Sequence, residues 1–291
     1  MIWACSGNSG NLNPPLPGTK AYSVDFTICN PPFYSSASEL EACAKSKSRP
    51  PSSACTGADI EMVTPGGEVA FVSRMVDESR HLRYRCQWYT SMLGKASSVE
   101  AMVNKLKDAG VDNWAVKDLI QGNKTKRWAV AWSWSDFRPT EVGIYTQRTR
   151  TMTDESKAVA RSTSTFPKSL LPFPPESTWS SPFGSIDQTT QRLNQTMAEL
   201  GLRWMYKPAI STGLALAAGN VWSRAARRRR EQGQSVGESS NEQGSILGVK
   251  VQVILTAKSE VNISIRWVQG RDSVLFESFC GMLKRQLTPP T

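Results

Sequence analysis

Four consecutive residues, Asn30-Pro31-Pro32-Phe33, have the side chains that chemistry on a planar amine requires. They follow Val24-Asp25-Phe26-Thr27-Ile28-Cys29, a short apolar run that reads as a buried strand. An exocyclic amine on an aromatic base is a weak nucleophile, because its lone pair is delocalised into the ring. Methyl transfer to it needs two acceptors that hold both N–H groups while the nitrogen turns tetrahedral. The side-chain carbonyl of Asn30 and the backbone carbonyl of Pro31 are the candidates. Proline fixes φ and biases the preceding residue to an extended conformation, so both acceptors are aimed in advance. Phe33 can stack on the base, which contributes roughly 1–3 kcal/mol per base. No strong general base is required, since the nitrogen becomes acidic as the methyl arrives; orientation and fixed dipoles carry the catalysis. A base inside a duplex must first be flipped out or already be unpaired. The competing reading is a Pro-Pro turn that merely ends a strand, and the amide before it and the aromatic after it favour chemistry.

Such a motif must sit where ligands sit in an open α/β sheet, beyond the carboxyl ends of the strands. The flanking pattern supplies that sheet. Pro65-Gly66-Gly67-Glu68 opens a helix whose apolar stripe is Val69, Val72, Met75, Val76 and Leu82. A second strand runs over 87–93, Gly94-Lys95 turns the chain, and a helix capped by Ser97 or Ser98 carries Val99, Met102, Val103 and Leu106 before stopping at Gly110. Residues 113–120 and 126–135 form a hairpin around Gln121-Gly122-Asn123-Lys124-Thr125. This order predicts a parallel βαβα sheet closed by an antiparallel edge. Trp132 and Trp134 share one face of the last strand and are expected to pack in the core, and His81 ends a helix.

Outside this region the chain reads as pieces. Residues 1–22 lack a helical period and are expected to be coil, and 35–56 form a loop with Lys45, Lys47 and Arg49. Residues 139–183 and 231–245 are Ser/Thr/Pro-rich or polar and read as linkers. Between them, 184–230 holds a helix over 186–200, a strand over 202–206 and an alanine-rich stretch ending in Arg227-Arg228-Arg229-Arg230. Period-two alternation at Val249, Val251, Val253, Leu255 and Val261, Ile263, Ile265, Trp267, followed by Phe276, Phe279, Leu283 and Leu287, predicts a small ββα unit over 246–291.

Composition narrows the classes. No run of eighteen apolar residues is present. The six cysteines lack CxxC spacing and there is one histidine, so no metal site is expected and the thiols read as reduced, in an intracellular protein. The formal charge is +10, and from Leu202 to Arg230 there are seven Lys/Arg and no Asp/Glu. That clustering favours a polyanionic partner.

With these residues in place, Asp25 to about Arg138 resembles the methyltransferase-like protein 16 and ribosomal RNA large subunit methyltransferase F family, as an N-terminally truncated, fungal-like member. The matching stretches are Cys29 to Phe33, Arg49-Pro50-Pro51-Ser52-Ser53, Thr56-Gly57, Gly66-Gly67-Glu68 with Phe71-Val72, Trp88-Tyr89 with Met92 to Lys95, and Gln121-Gly122 with Arg127-Trp128-Ala129 and Ala131-Trp132-Ser133. The resemblance implies an α/β fold: a class I, Rossmann-like S-adenosylmethionine-dependent methyltransferase with only the C-terminal half of its sheet at 23–138, plus the ββα unit. It implies S-adenosylmethionine as donor, adenine N6 as acceptor and U6 small nuclear RNA as substrate, in the nucleus, the cytoplasm or both, with no DNA or membrane partner. The family's catalytic motif maps onto Asn30, Pro31, Pro32 and Phe33. Asn30 and Lys95 are the expected cofactor contacts, Lys95 lying in the loop that gates the cofactor pocket. Lys45, Lys47, Arg49, Arg127, Arg227, Arg228, Arg229 and Arg230 are the expected RNA contacts.

One departure stands out. A class I domain begins with a strand, a Gly-rich turn, a helix and an acidic residue for the ribose. Ser6-Gly7-Asn8-Ser9-Gly10 contains glycines but is read with no strand before it and no helix after, so it is not assigned as that turn. The expectation is little methyl transfer by this stretch alone. Two alternatives remain: an inactive RNA-binding fragment, and a ribosomal RNA methyltransferase. A protein glutamine methyltransferase, which shares an Asn-Pro-Pro-aromatic motif, has no use for the phosphate contacts around Arg49. If the basic residues form one positive surface, RNA affinity measured by filter binding should fall steeply between about 50 and 200 mM salt, because neutralised phosphates release counterions. A flat profile would contradict that surface.

Overall fold

Strand β2 (Val24–Cys29) pairs in parallel with β3 (Cys86–Leu93), so Phe26 lies beside Trp88 and Cys29 beside Ser91. Parallel strands need a crossover, and α3 (Gly67–Leu82) supplies it. β3 leads through Gly94-Lys95 into α4 (Ala96–Asp108), and β4 (Asn113–Gln121) and β5 (Thr125–Ser133) return as a hairpin whose second strand pairs antiparallel with β3. The sheet order is β1-β2-β3-β5-β4. The computed structural model describes residues 2–5, 24–45, 59–121, 125–139, 167–232, 247–256 and 259–288. They fall into two units, one of Met1–Ser135 with Ile144–Pro172 and one of Asp136–Gly143 with Phe173–Thr291.

In the first unit Val72, Val76, Val99, Val103 and Leu106 from α3 and α4 pack against Tyr89, Leu93, Val116, Val130 and Trp132. Tyr89 and Trp132 face each other across β3 and β5 and stack with ring centres 5.7 Å apart. Buried Ser79 uses its full hydrogen-bonding capacity there: its hydroxyl donates to the Val76 carbonyl and accepts from the indole N–H groups of Trp132 and Trp134, each at 3.0 Å. On the other side of β2, Phe26 and Ile28 are exposed.

Three expectations change in this unit. The N-terminus is not all coil: β1 (Ile2–Cys5) pairs antiparallel with β2, because an edge strand leaves backbone groups to be satisfied and four residues suffice to meet them. A strand therefore does precede Ser6-Gly7-Asn8-Ser9-Gly10, which themselves lie outside the described residues. Cys5 pairs with Phe26 and Ile2 with Cys29, so β1 ends toward the amino side of β2, away from Asn30. Finally, the expected loop over 35–56 contains α1 (Ala37–Lys45), and a single helical turn, α2 (Asp59–Met62), follows it. Ser36 caps α1 by accepting the Glu39 backbone N–H, while Glu39 reaches back to the N–H of Ser35, one residue before the cap.

The second unit is one antiparallel sheet, β6-β10-β9-β8-β7, rather than a basic extension and a separate ββα unit. Its strands are β6 (Glu176–Ser180), β7 (Arg203–Lys207), β8 (Thr212–Ala217), β9 (Leu247–Leu255) and β10 (Val261–Gln269). β6 falls in the expected linker 139–183, and β8 in the alanine-rich stretch, which continues to α6 (Arg224–Glu231). Gly213 on β8 is required, since a Cβ there would collide with the Trp204 ring. The inward face of β9 and β10 meets α5 (Ile186–Glu199) and α7 (Ser273–Gln286) in a core of Leu193, Met197, Val251, Ile263, Trp267 and Phe279. Asp272 caps α7 by accepting from Val274 and Leu275. The unit also takes residues 136–138: Arg138 donates its backbone N–H to Val268 and lays its guanidinium 4.1 Å from the Trp267 ring centre. Among the described residues, no helix is long and apolar enough to cross a membrane.

Replacing Ser79 with alanine leaves the buried Trp132 N–H without its acceptor, and should lower unfolding free energy by about 1–3 kcal/mol, read as a lower urea midpoint at unchanged slope.

Candidate active site

Asn30 sits directly beyond the carboxyl end of β2 and is exposed, while Pro31 and Pro32 are buried and Phe33 is half-buried. The segment is pinned on its far side. Tyr34 donates its N–H to Met62 and accepts from Thr64, a one-residue parallel bridge to Val63. The chain then enters α3 through Gly66 and Gly67, both at positive φ (76° and 63°), where a Cβ on Gly67 would lie 3.5 Å from the Phe33 carbonyl.

Because β2 and β3 are parallel, β3 delivers Gly94 and Lys95 to the same edge. A Cβ on Gly94 would lie 3.0 Å from Cδ1 of Phe33 and 3.1 Å from Oε2 of Glu68, so the absent side chain leaves the room that the aromatic ring uses. β5 runs the other way, and its register sets Trp128 beside Leu93. Arg127 therefore starts at this edge, with its guanidinium 5.5 Å from the Phe33 ring centre.

Two carboxylates organise the backbone here. Glu68, 3% exposed, accepts from the Gly94 N–H at 2.6 Å and the Lys95 N–H at 3.1 Å. Glu39 accepts from the Lys95 ammonium at 2.6 Å and from the Ser35 backbone and hydroxyl. The hydrogen bond from Lys95, with those from Ser35, holds the Glu39 carboxyl down to about 2, and Glu39 in turn raises Lys95. Burial pushes the neighbouring Cys29 thiol up, which keeps it protonated and unreactive.

The structure thus brings together Asn30, Pro31, Pro32, Phe33, Lys95 and Arg127. Lys45 is exposed at the end of α1, within 4.0 Å of Glu41. Lys47 and Arg49 lie outside the described residues. Arg227, Arg228 and Arg229 are exposed on α6 of the second unit, and Arg230 belongs to the same helix. Sequence reasoning assigned no role to Glu39 or Glu68. The Ser36-Ala37-Ser38-Glu39 spacing was a usable signal for the first; the second bonds only backbone, which leaves no side-chain partner to look for.

A parallel β2–β3 pair, an antiparallel closing hairpin and Asn-Pro-Pro-Phe at the carboxyl edge define a Rossmann-like methyltransferase half-sheet. Residues 12–136 match the RNA methyltransferase family. It is 32% identical over 279 residues to the U6 small nuclear RNA (adenine-(43)-N(6))-methyltransferase of Schizosaccharomyces pombe, with 94% of this chain and 63% of that protein covered. It is 28% identical to the RNA N(6)-adenosine-methyltransferase mettl16 of Danio rerio, over 92% of this chain and 63% of the relative. The chain therefore spans about two-thirds at most of these relatives' length, 63% in both. A crystal structure of the human Mettl16 catalytic domain with a MAT2A 3′UTR hairpin is 36% identical, covers 43% of this chain and 45% of its own, and has a TM-score of 0.37.

The depressed Glu39 carboxyl gives a signed pH dependence. Its support for the Ser35–Lys95 contact is fully present above its ordinary value of 4.5 and is lost as pH falls toward about 2. Carboxyl carbon NMR should find that low midpoint in the native protein and see it return toward 4.5 in Lys95→Met.

Proposed function

We propose that this chain serves methylation of adenine N6 in a structured RNA, with S-adenosylmethionine as donor and U6 small nuclear RNA, in the nucleus, as substrate. The observation that carries the reading is Asn30-Pro31-Pro32-Phe33 standing at the carboxyl edge of a parallel pair, with the Phe33 ring seated beside Gly94. The Asn30 side-chain carbonyl and the Pro31 carbonyl accept the two amine hydrogens, and Phe33 stacks on the base. Arg127, whose guanidinium lies 5.5 Å from the Phe33 ring centre, is the cation assigned to the flipped nucleotide's phosphate in this reading. The names of the relatives support both the acceptor atom and the class of RNA.

For the donor, Asn30 fits: it is exposed at the carboxyl end of β2, free to meet a ligand beyond the strand. Lys95 fits only after it gives up Glu39. When bound, S-adenosylmethionine supplies an electrophilic methyl on a sulfonium. What this chain's own residues supply is orientation of the amine and dipoles that accept its growing positive charge.

A second reading, RNA binding without transfer, is favoured by one observation. β1 occupies the edge of β2 in the antiparallel sense, so the chain leaves it on the side away from Asn30. Calorimetry with S-adenosylmethionine on the purified chain separates the two: saturable binding supports transfer, and retained RNA binding without donor heat supports the second. With a complete donor-binding half fused ahead of Val24, labelled methyl should reach RNA adenine, and Asn30→Ala should slow it by about 100-fold or more. Transfer indifferent to Asn30→Ala would overturn the assignment.

A further inference from the structure

The buried carboxylate of Glu68 has no role in the proposed transfer, yet it lies one residue's width from the base-stacking ring. It stands in the first turn of α3, where the helix N-terminus favours a negative charge. Its two oxygens are divided between two donors: Oε2 takes the Gly94 N–H and Oε1 the Lys95 N–H. Gly94 is the residue against which Phe33 rests: a Cβ on it would lie 3.0 Å from Cδ1 of Phe33 and 3.1 Å from Oε2 of Glu68. Any movement of the Gly94-Lys95 backbone therefore moves the floor on which the ring sits.

We propose that Glu68 is a positioning residue for the adenine site: by clasping the Gly94 and Lys95 N–H groups it fixes the plane of Phe33, and so the strength of base stacking. This deepens the base-site reading and rests on it. A glutamine keeps one acceptor and turns an amine donor toward a backbone donor, so one of the two N–H groups is left without a partner. An aspartate is a methylene too short to reach both. Gly94→Ala attacks the same contact from the other side, by inserting a methyl between the ring and the carboxylate.

The experiment titrates the full chain with two nucleosides, adenosine and purine riboside, by NMR. Purine riboside stacks alike but lacks the amine. Glu68→Gln and Gly94→Ala should each weaken both nucleosides by the same factor, about tenfold. Their double variant should fall short of the product of the two, since they act on one contact. Asn30→Ala should instead remove only the preference for adenosine. Amide exchange should quicken at Gly94 and Lys95 in Glu68→Gln, with the thermal midpoint of the first unit little changed. If Glu68→Gln binds both nucleosides as the native chain does while Phe33→Ala loses them, the role of Glu68 is wrong and the base site stands. If exchange quickens throughout the unit and Gly94→Ala binds normally, Glu68 only holds the fold, and the proposal is overturned. Should Phe33→Ala bind both nucleosides unchanged, the base-site reading itself fails, and the role of Glu68 with it.

Discussion

Parallel pairing of β2 with β3 is the constraint from which the site follows. Two parallel strands end at the same edge, so residues more than sixty positions apart, Asn30 and Gly94, must come out side by side. The crossover helix that parallel pairing demands then has to begin at that same edge or return to it, and α3 begins there, with Gly66 and Gly67 making its start tight enough to lie under the Phe33 backbone. An antiparallel β2–β3 pair would scatter these groups to opposite ends of the sheet, whatever the local sequence.

Rigidity at this edge comes from satisfied backbone more than from apolar burial. Asn30 is exposed and Phe33 half-buried, so neither is held by a core. The Tyr34 bridge to Val63, the Glu68 clasp and the Glu39–Lys95 pair hold the turn from three directions. The clasp rests on a side chain that is 3% exposed, whereas the Lys95 and Glu39 side chains are 53% and 26% exposed, and an exposed ion pair contributes little because water screens it. The division of labour suits a binding edge, which must stay open to ligand and still keep its groups aimed.

The elements of the first sheet were legible because each carries its own period or punctuation: alternation or an apolar run in β2 and β3, a 3.6-residue stripe in α3 and α4, glycines at 66, 94 and 110. What escaped was fixed by partners elsewhere. β1 and β6 are edge strands of four and five residues, short enough that their state is decided by the strand they lie on. β8 reads as alanine-rich because Gly213 and its small neighbours make way for Trp204, an accommodation visible only once β7 is beside it. The same non-locality hid the unity of the second sheet, whose β8 and β9 join segments that a polar stretch separates in sequence. In the site, the motif announced itself by side-chain chemistry, whereas Glu68 binds backbone 26 positions away and so leaves no trace in residue type.

The direction of β1 has a practical consequence. Ile2 is paired with Cys29, one residue before Asn30, so the first residue of β1 lies beside the strand end that carries the motif. A spin label or fluorophore placed at Ile2 would therefore report on the Asn-Pro-Pro-Phe end of β2, whereas one placed at Cys5, paired with Phe26, would report on the middle of that strand.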